Sequence, residues 1–333
     1  MVLEGSHKCV DLRETATPHR GSSEQSVNQG EAVVNSVEKK PKGVTRRDFI
    51  KGTAAGAVGG LVVGAAGSVL AAEPVAKTKP PAPAGRTRYR AISAETVQLR
   101  GHEGDAIDAY LARPTGPGAY PGVVVIHHMP GWDEATMEIT RRFAHHGYAA
   151  VCPDLQFREG KGTPEANSAS VRDAGGMPDN RTMGDVEGSI RYLRALPYLS
   201  GKVGIIGYCS GGRQVYLAAC TLKGIDAAVD CYGGGVAAGP AGLTPRQPMD
   251  PIDVTKDLSC PLLGLFGRED ARPSPEHVAK TEAELKKWGK TYEFHMYDNA
   301  GHAFFSVDRP SYRQAAAVDG WKRVFQWYEK YLR

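Results

Sequence analysis

Short apolar runs of strand length recur along the chain, separated by segments of helical period. Val123-Val124-Val125-Ile126 is continuously apolar, as a strand buried on both faces requires. Ala149–Cys152, Lys202–Ile206, Ile225–Cys231 and Pro261–Gly267 read the same way. Glu95–Leu99 and Ala106–Leu111 instead alternate apolar with polar across Gly101–Gly104, which predicts an antiparallel hairpin at a sheet edge. Tyr292–Tyr297 alternates too. Between the strands, Glu134–His146 carries Met137, Ile139, Phe143 and Ala144 at helical spacing. Asp185–Leu196, Arg213–Cys220, Ser274–Trp288 and Pro310–Tyr331 also read as helices. Strands alternating with helices predict the α/β class, with a doubly wound, mostly parallel sheet flanked by helices. Gln156–Gly184 is polar, holds Gly and Pro, and shows no period, so it predicts a long loop at the substrate entrance. No internal repeat is visible.

The first 85 residues follow another pattern. Residues 1–43 are polar and aperiodic, as a disordered leader is. Thr45-Arg46-Arg47-Asp48-Phe49-Ile50-Lys51 precedes an uncharged stretch, Gly52–Ala72, rich in Ala, Gly and Val. A membrane anchor is the alternative, but the many glycines and mild hydrophobicity argue against a stable spanning helix. The stretch resembles a twin-arginine signal peptide, addressed by Arg46-Arg47, with small residues for cleavage near Val69–Ala72. Residues 1–72 are therefore expected to be leader and signal. That implies contact with the twin-arginine export machinery and a periplasmic or extracellular destination. Residues 73–85, rich in Pro, Ala and Lys, predict an extended linker. The compact domain is expected over residues 86–333.

Composition narrows the function classes. The chain has 333 residues, 41% of them hydrophobic and 23% charged, ordinary for a globular domain. A net charge of +4 and the absence of a nucleic-acid-binding motif argue against DNA or RNA as a partner. Cys9, Cys152, Cys209, Cys220, Cys231 and Cys260 lack CxxC spacing, so neither a zinc ribbon nor a disulfide framework is expected. Cys152, Cys220, Cys231 and Cys260 lie in or beside apolar segments and read as small core residues.

Cys209 stands apart. Gly207-Tyr208-Cys209-Ser210-Gly211-Gly212 joins an apolar strand to a helix, the layout of a nucleophile elbow. Glycines let the turn close, and the apex residue is held in a strained conformation above the sheet. The helix start supplies free N–H groups and a positive dipole end, which favour a thiolate. An inert buried cysteine in a Gly-rich turn is the alternative. Two later stretches weigh against it. Gly267-Arg268-Glu269-Asp270 and Asn299-Ala300-Gly301-His302 each follow a strand, so an acid and a histidine come after the nucleophile in the order of α/β hydrolases. Active sites of open α/β sheets lie at those strand ends. Acyl transfer to a thiol needs a base, an orienting acid and an oxyanion hole. The candidates are Cys209 as nucleophile, His302 as base and Asp270 as orienter, with Glu269 as a rival acid. The Ser210 N–H is one oxyanion donor, and a second is due from the loop His127–Trp132. His127, His128, Cys209 and His302 also raise a zinc-dependent hydrolase, against which neighbouring strand residues point to opposite sides. A ligand-binding protein with an unused triad is a further alternative.

These motifs, together with Gly147-Tyr148-Ala149-Ala150-Val151-Cys152-Pro153-Asp154-Leu155, resemble the dienelactone hydrolase family over about Ala94 to Leu332. The resemblance implies an α/β-hydrolase fold and a carboxylic ester hydrolase acting on a small ester or lactone. It implies a Cys209–His302–Asp270 triad, a thioester acyl-enzyme and no cofactor or metal. It points to the Met129 N–H as the second oxyanion donor. His128 stands where the family usually has a glutamate facing the resting cysteine, and Ser306 replaces an arginine of the substrate clamp. Arg172 is the match to the other clamp arginine. Trp132, Phe304 and Phe305 are candidate pocket walls, with core packing as their alternative. The candidate substrate pocket is therefore His128, Trp132, Arg172 and Phe304.

Overall fold

The computed structural model describes residues 90–333, so the expected leader, signal and linker, with the first four residues of the expected domain, lie outside the described residues. Eight strands form one sheet: β1 Ile92–Arg100, β2 Ala106–Pro114, β3 Tyr120–Ile126, β4 Ala149–Pro153, β5 Leu199–Tyr208, β6 Ala227–Cys231, β7 Leu262–Gly267 and β8 Tyr292–Tyr297. Their order is β1-β2-β4-β3-β5-β6-β7-β8. β1 pairs antiparallel with β2, and β2 with β4; every other pairing is parallel. The alternating segments are thus the edge strands, β1 and β2 as the antiparallel hairpin on one side and β8, parallel, on the other, and the continuously apolar ones the centre.

Helices α1 Glu134–His145, α2 Pro164–Asp173, α3 Asp179–Ala195, α4 Ser210–Thr221, α5 Pro275–Lys287 and α6 Gln314–Leu332 cover the sheet. Strand side chains divide by parity. Val124, Ile126 and Ile205 pack with Val186, Ile190 and Leu193 of α3 and Val215 of α4. Val123, Val125 and Ile206 pack with Phe143 of α1 and Val324, Trp327 and Tyr328 of α6. A period of two with both faces covered explains why the central strands show no alternation in sequence. Burying a side chain of this size stabilises the fold by roughly 1.5–3 kcal/mol.

The expected loop at Gln156–Gly184 is a correction. It holds a short 3₁₀ turn at Phe157–Glu159, then α2, then the first turns of α3. α2 starts where Thr163 accepts the Ala166 N–H and Pro164 takes the first turn. The helical period was hidden because the buried face is partly polar. Asp179 takes two hydrogen bonds from buried Arg213, at 2.6 and 3.0 Å. Asp185, fully buried, is held by Arg158 at 2.8 Å and by the His102 N–H at 2.8 Å. Glu159 pairs with Arg181 and Arg246. Buried charges require such partners, and here they tie the segment to the sheet and to the 240s loop. The last helix also begins later than expected, at Gln314 rather than Pro310.

Candidate active site

β3, β5, β7 and β8 all point their C-terminal ends at one edge of the sheet, and the loops leaving those ends build the site. Cys209 follows β5 with φ 57° and ψ −121°, a left-handed conformation that L-residues other than Gly rarely adopt. Neighbouring atoms enforce it. A Cβ on Gly211 would lie 2.4 Å from the Ile126 carbonyl oxygen, and one on Gly207 would lie 2.2 Å from that of Gly211. The Cys209 N–H is held by the Cys231 carbonyl at 3.1 Å. The sulfur is thus lifted over the edge, at the N-terminus of α4.

Asp270 follows β7 and is buried. Its Oδ2 lies 2.8 Å from His302 Nδ1, and its Oδ1 accepts the Arg272 N–H at 2.8 Å. Glu269 is exposed and makes no hydrogen bond to His302, so Asp270 is the acid on the ring. His302 follows β8 and is hydrogen-bonded on its other side to the Cys209 thiol. The Ser210 and Met129 N–H groups both donate toward that sulfur. Burial opposes charge on His302, but its bonds to Asp270 and Cys209 prevail and push its pKa up to about 10. Burial likewise opposes the Cys209 thiolate; the His302 contact and the two N–H groups outweigh it and hold the thiol below its ordinary value. Both directions favour a thiolate–imidazolium pair. By contrast, burial pushes Cys220 and Cys260 up to about 12, as inert core thiols.

Met129, Cys209, Ser210, Asp270, His302 and Arg172 border one cleft of about 710 Å³, within the range of small-molecule sites. Its far wall is the 240s loop, with Leu243, Thr244 and Gln247. That segment carries no helix or strand period, so no sequence pattern points to its place here. Arg272 borders the cleft as well, two residues beyond Asp270; an acid turn that must face the site was the available signal. Arg172 and Arg272 are exposed and make no ion pair among the described residues.

Three expected pocket residues lie elsewhere. His128 Nε2 bonds Asp133 Oδ2 at 2.7 Å, beside the N-cap of α1, and faces away from the cleft. Trp132 is half-buried and donates from Nε1 to the Cys152 carbonyl at 3.1 Å. Phe304 is fully buried among Tyr232, Tyr297 and Phe305. Core packing, the alternative for these two aromatic residues, is what they do. His127 points inward: its Nε2 accepts the Leu155 N–H at 3.2 Å, its Nδ1 meets the His128 carbonyl at 2.9 Å, and burial lowers its pKa to about 4. No group of three or more His, Cys, Asp or Glu among the described residues is arranged to hold a metal ion. The sequence missed Tyr232, whose ring edge packs on His302 at 5.2 Å between centroids and whose φ is 45°.

Comparisons with known proteins identify the family. Residues 107–332 match the family described as "Dienelactone hydrolase family". A Salmonella typhimurium protein named "Putative carboxymethylenebutenolidase" is 34% identical over 80% of this chain and 96% of its own length. A Methylorubrum extorquens protein of the same name is 32% identical over 80% of this chain and 90% of its own. The crystal structure of a "Putative Dienelactone Hydrolase" from Klebsiella pneumoniae superposes with a TM-score of 0.67 at 30% identity, covering 73% of this chain and all of that one. A dienelactone hydrolase-like promiscuous phosphotriesterase from metagenomic libraries shares the fold, with a TM-score of 0.60 at 20% identity over 73% of this chain and all of its own. By these matches the chain belongs to the dienelactone hydrolase family.

Proposed function

We propose that the protein hydrolyses a small ester or lactone through Cys209, His302 and Asp270, by way of a thioester. The observation that carries this reading is a lowered thiol at a strained apex, bonded to a raised imidazole, with two N–H groups aimed at the sulfur and a cleft above it. In the acylation step the Cys209 thiolate attacks the carbonyl carbon. The oxygen that gains charge is taken by the Ser210 and Met129 N–H groups, and losing one such donor costs about 3–4 kcal/mol in comparable sites. The carbon–oxygen ester bond breaks and the leaving alkoxide takes the proton of His302. Neutral His302 then takes a proton from water, the hydroxide attacks the thioester, and the acid departs as Cys209 returns to thiolate. Asp270 keeps Nδ1 protonated and steadies the cation. The 2.8 Å bond between buried Asp270 and His302 supports that role.

Arg172 and Arg272, exposed cations on the cleft, suit a substrate that carries a carboxylate near the scissile bond. Cys209→Ala is expected to lose turnover of activated esters and lactones while retaining its circular dichroism and unfolding midpoint. Unchanged turnover in a folded variant refutes the reading.

The export reading is likewise our proposal, resting on Arg46-Arg47 and the uncharged stretch after them. Replacing both arginines with lysine is expected to keep the protein in the cytoplasmic fraction. Export undiminished by that change contradicts it.

A further inference from the structure

We propose that His127 is a positioning residue for the oxyanion hole: it holds the peptide group between His128 and Met129 so that the Met129 N–H faces Cys209. This role rests on the ester-hydrolase reading. His127 is the first residue past β3, and its buried ring reaches the segment leaving β4 at Leu155. The Leu155 backbone N–H lies 3.2 Å from Nε2, and an amide N–H can only donate, so Nε2 accepts. The His128 carbonyl oxygen lies 2.9 Å from Nδ1 and can only accept, so Nδ1 carries the proton. The two neighbours thereby select one neutral tautomer. Burial favours the same state and lowers the pKa to about 4.

The bond to His128 is the one that reaches the chemistry. That carbonyl belongs to the same planar trans peptide as the Met129 N–H, and in such a group C=O and N–H point opposite ways. Whatever fixes the oxygen therefore aims the hydrogen. The oxygen also takes the Gly131 N–H at 2.9 Å, so both of its lone pairs are used. On either flank the loop is tied down again. The Met129 carbonyl accepts from Gln156 Nε2 at 2.9 Å, and the His128 ring bonds Asp133 at 2.7 Å. The Met129 N–H is left to donate toward the Cys209 sulfur. His127 does not border the cleft, so it acts through that peptide and not on the substrate. A donor fixed in advance needs no reorganisation when charge develops on the substrate oxygen, which is where such groups accelerate acyl transfer.

The test compares His127→Leu and His127→Gln with the wild type on 4-nitrophenyl acetate, with rates taken per chain titratable at Cys209. Leucine fills the space with neither donor nor acceptor, whereas glutamine brings one of each. His127→Leu is expected to lose about 10–100-fold in kcat and equally in kcat/KM, with KM in place, because the lost aim matters in the transition state. Alkylation of its Cys209 by iodoacetamide, which needs the thiolate but develops no oxyanion, is expected to slow far less. His127→Gln is expected to restore most of kcat. Ile190→Ala, a core truncation on α3, is the control for destabilisation and is expected to keep kcat. Should His127→Leu not fold, His127→Met, equally without a donor but more adaptable in packing, takes its place. Unchanged kcat in the variant without a donor, a fall shared equally by alkylation, or no rescue by glutamine overturns the proposal. Turnover that survives Cys209→Ala overturns instead the hydrolase reading beneath it.

Discussion

Asp270→Asn isolates the electrostatics of the site. Asp270 is buried, and its Oδ2 lies 2.8 Å from His302 Nδ1. With the carboxylate present, the His302 pKa is about 10; at pH 7.5 the ring is protonated by roughly 300 to 1. The amide carries no charge, so the Asp270 contribution is lost and only the contacts to Cys209 still oppose burial, and the His302 pKa falls. The protonated fraction of His302 at pH 7.5 falls with it, and Cys209 loses much of the cation that lowers its pKa. The amide can also offer its NH₂ to Nδ1 and fix the wrong tautomer, which in a Ser-His-Asp triad costs about 10⁴-fold. A loss of up to about 10⁴-fold in kcat/KM is therefore predicted. The assay is hydrolysis of 4-nitrophenyl acetate from pH 5 to 11. The sign follows from the two directions. His302 must be protonated, so wild-type activity falls as pH rises through about 10; Cys209 must be ionised, so activity falls on the acid side, at a pH below the ordinary thiol value. In Asp270→Asn the alkaline limb should move to lower pH, while Glu269→Gln should leave it in place. An alkaline limb near 10 that persists in Asp270→Asn refutes the assignment of that limb to His302 and of its elevation to Asp270.

Other perturbations probe separate parts of the site. Gly211→Ala sets a Cβ 2.4 Å from the Ile126 carbonyl and 2.7 Å from that of His127, both backbone atoms. Overpacking of this kind costs about 1–3 kcal/mol, and it drives the elbow away from the loop that bears Met129. Thermal unfolding should fall and kcat/KM should drop by about 10²-fold; unaltered kinetics contradict the close approach. Replacing Arg172 or Arg272 with alanine should raise KM for a carboxylate-bearing ester several-fold and leave a neutral ester unchanged. An equal effect on both substrates removes the clamp from the account.

The parts of the fold that follow a simple period were legible in the sequence. A continuous apolar run such as Val123–Ile126 has one reading in an α/β chain, and the Gly-rich turn at Cys209 shows its constraint directly, since two neighbouring carbonyls exclude a Cβ. What escaped was governed by polar burial and by side-chain direction. Asp179 and Asp185 face inward on α3 because Arg213 and Arg158 meet them there, and a pattern of apolar positions does not report such a face. His127 and His128 turn apart, as neighbours at a strand end do, one to Leu155 and the other to Asp133; residue type did not tell that His128 would turn from the cleft to Asp133. Phe304 follows Ala303, whose φ of 62° turns the chain, and the ring goes into the core. Arg272, Thr244 and Gln247 reach the cleft from segments without regular period, where only the three-dimensional path brings them in.

The central claim concerns the sulfur of Cys209, and intact-mass spectrometry of the enzyme quenched during turnover of an activated ester tests it most directly. The account predicts one added acyl group per chain, located on Cys209, lost again on further incubation and absent from Cys209→Ala. Turnover with no added mass on Cys209, or an equal adduct in Cys209→Ala, contradicts it.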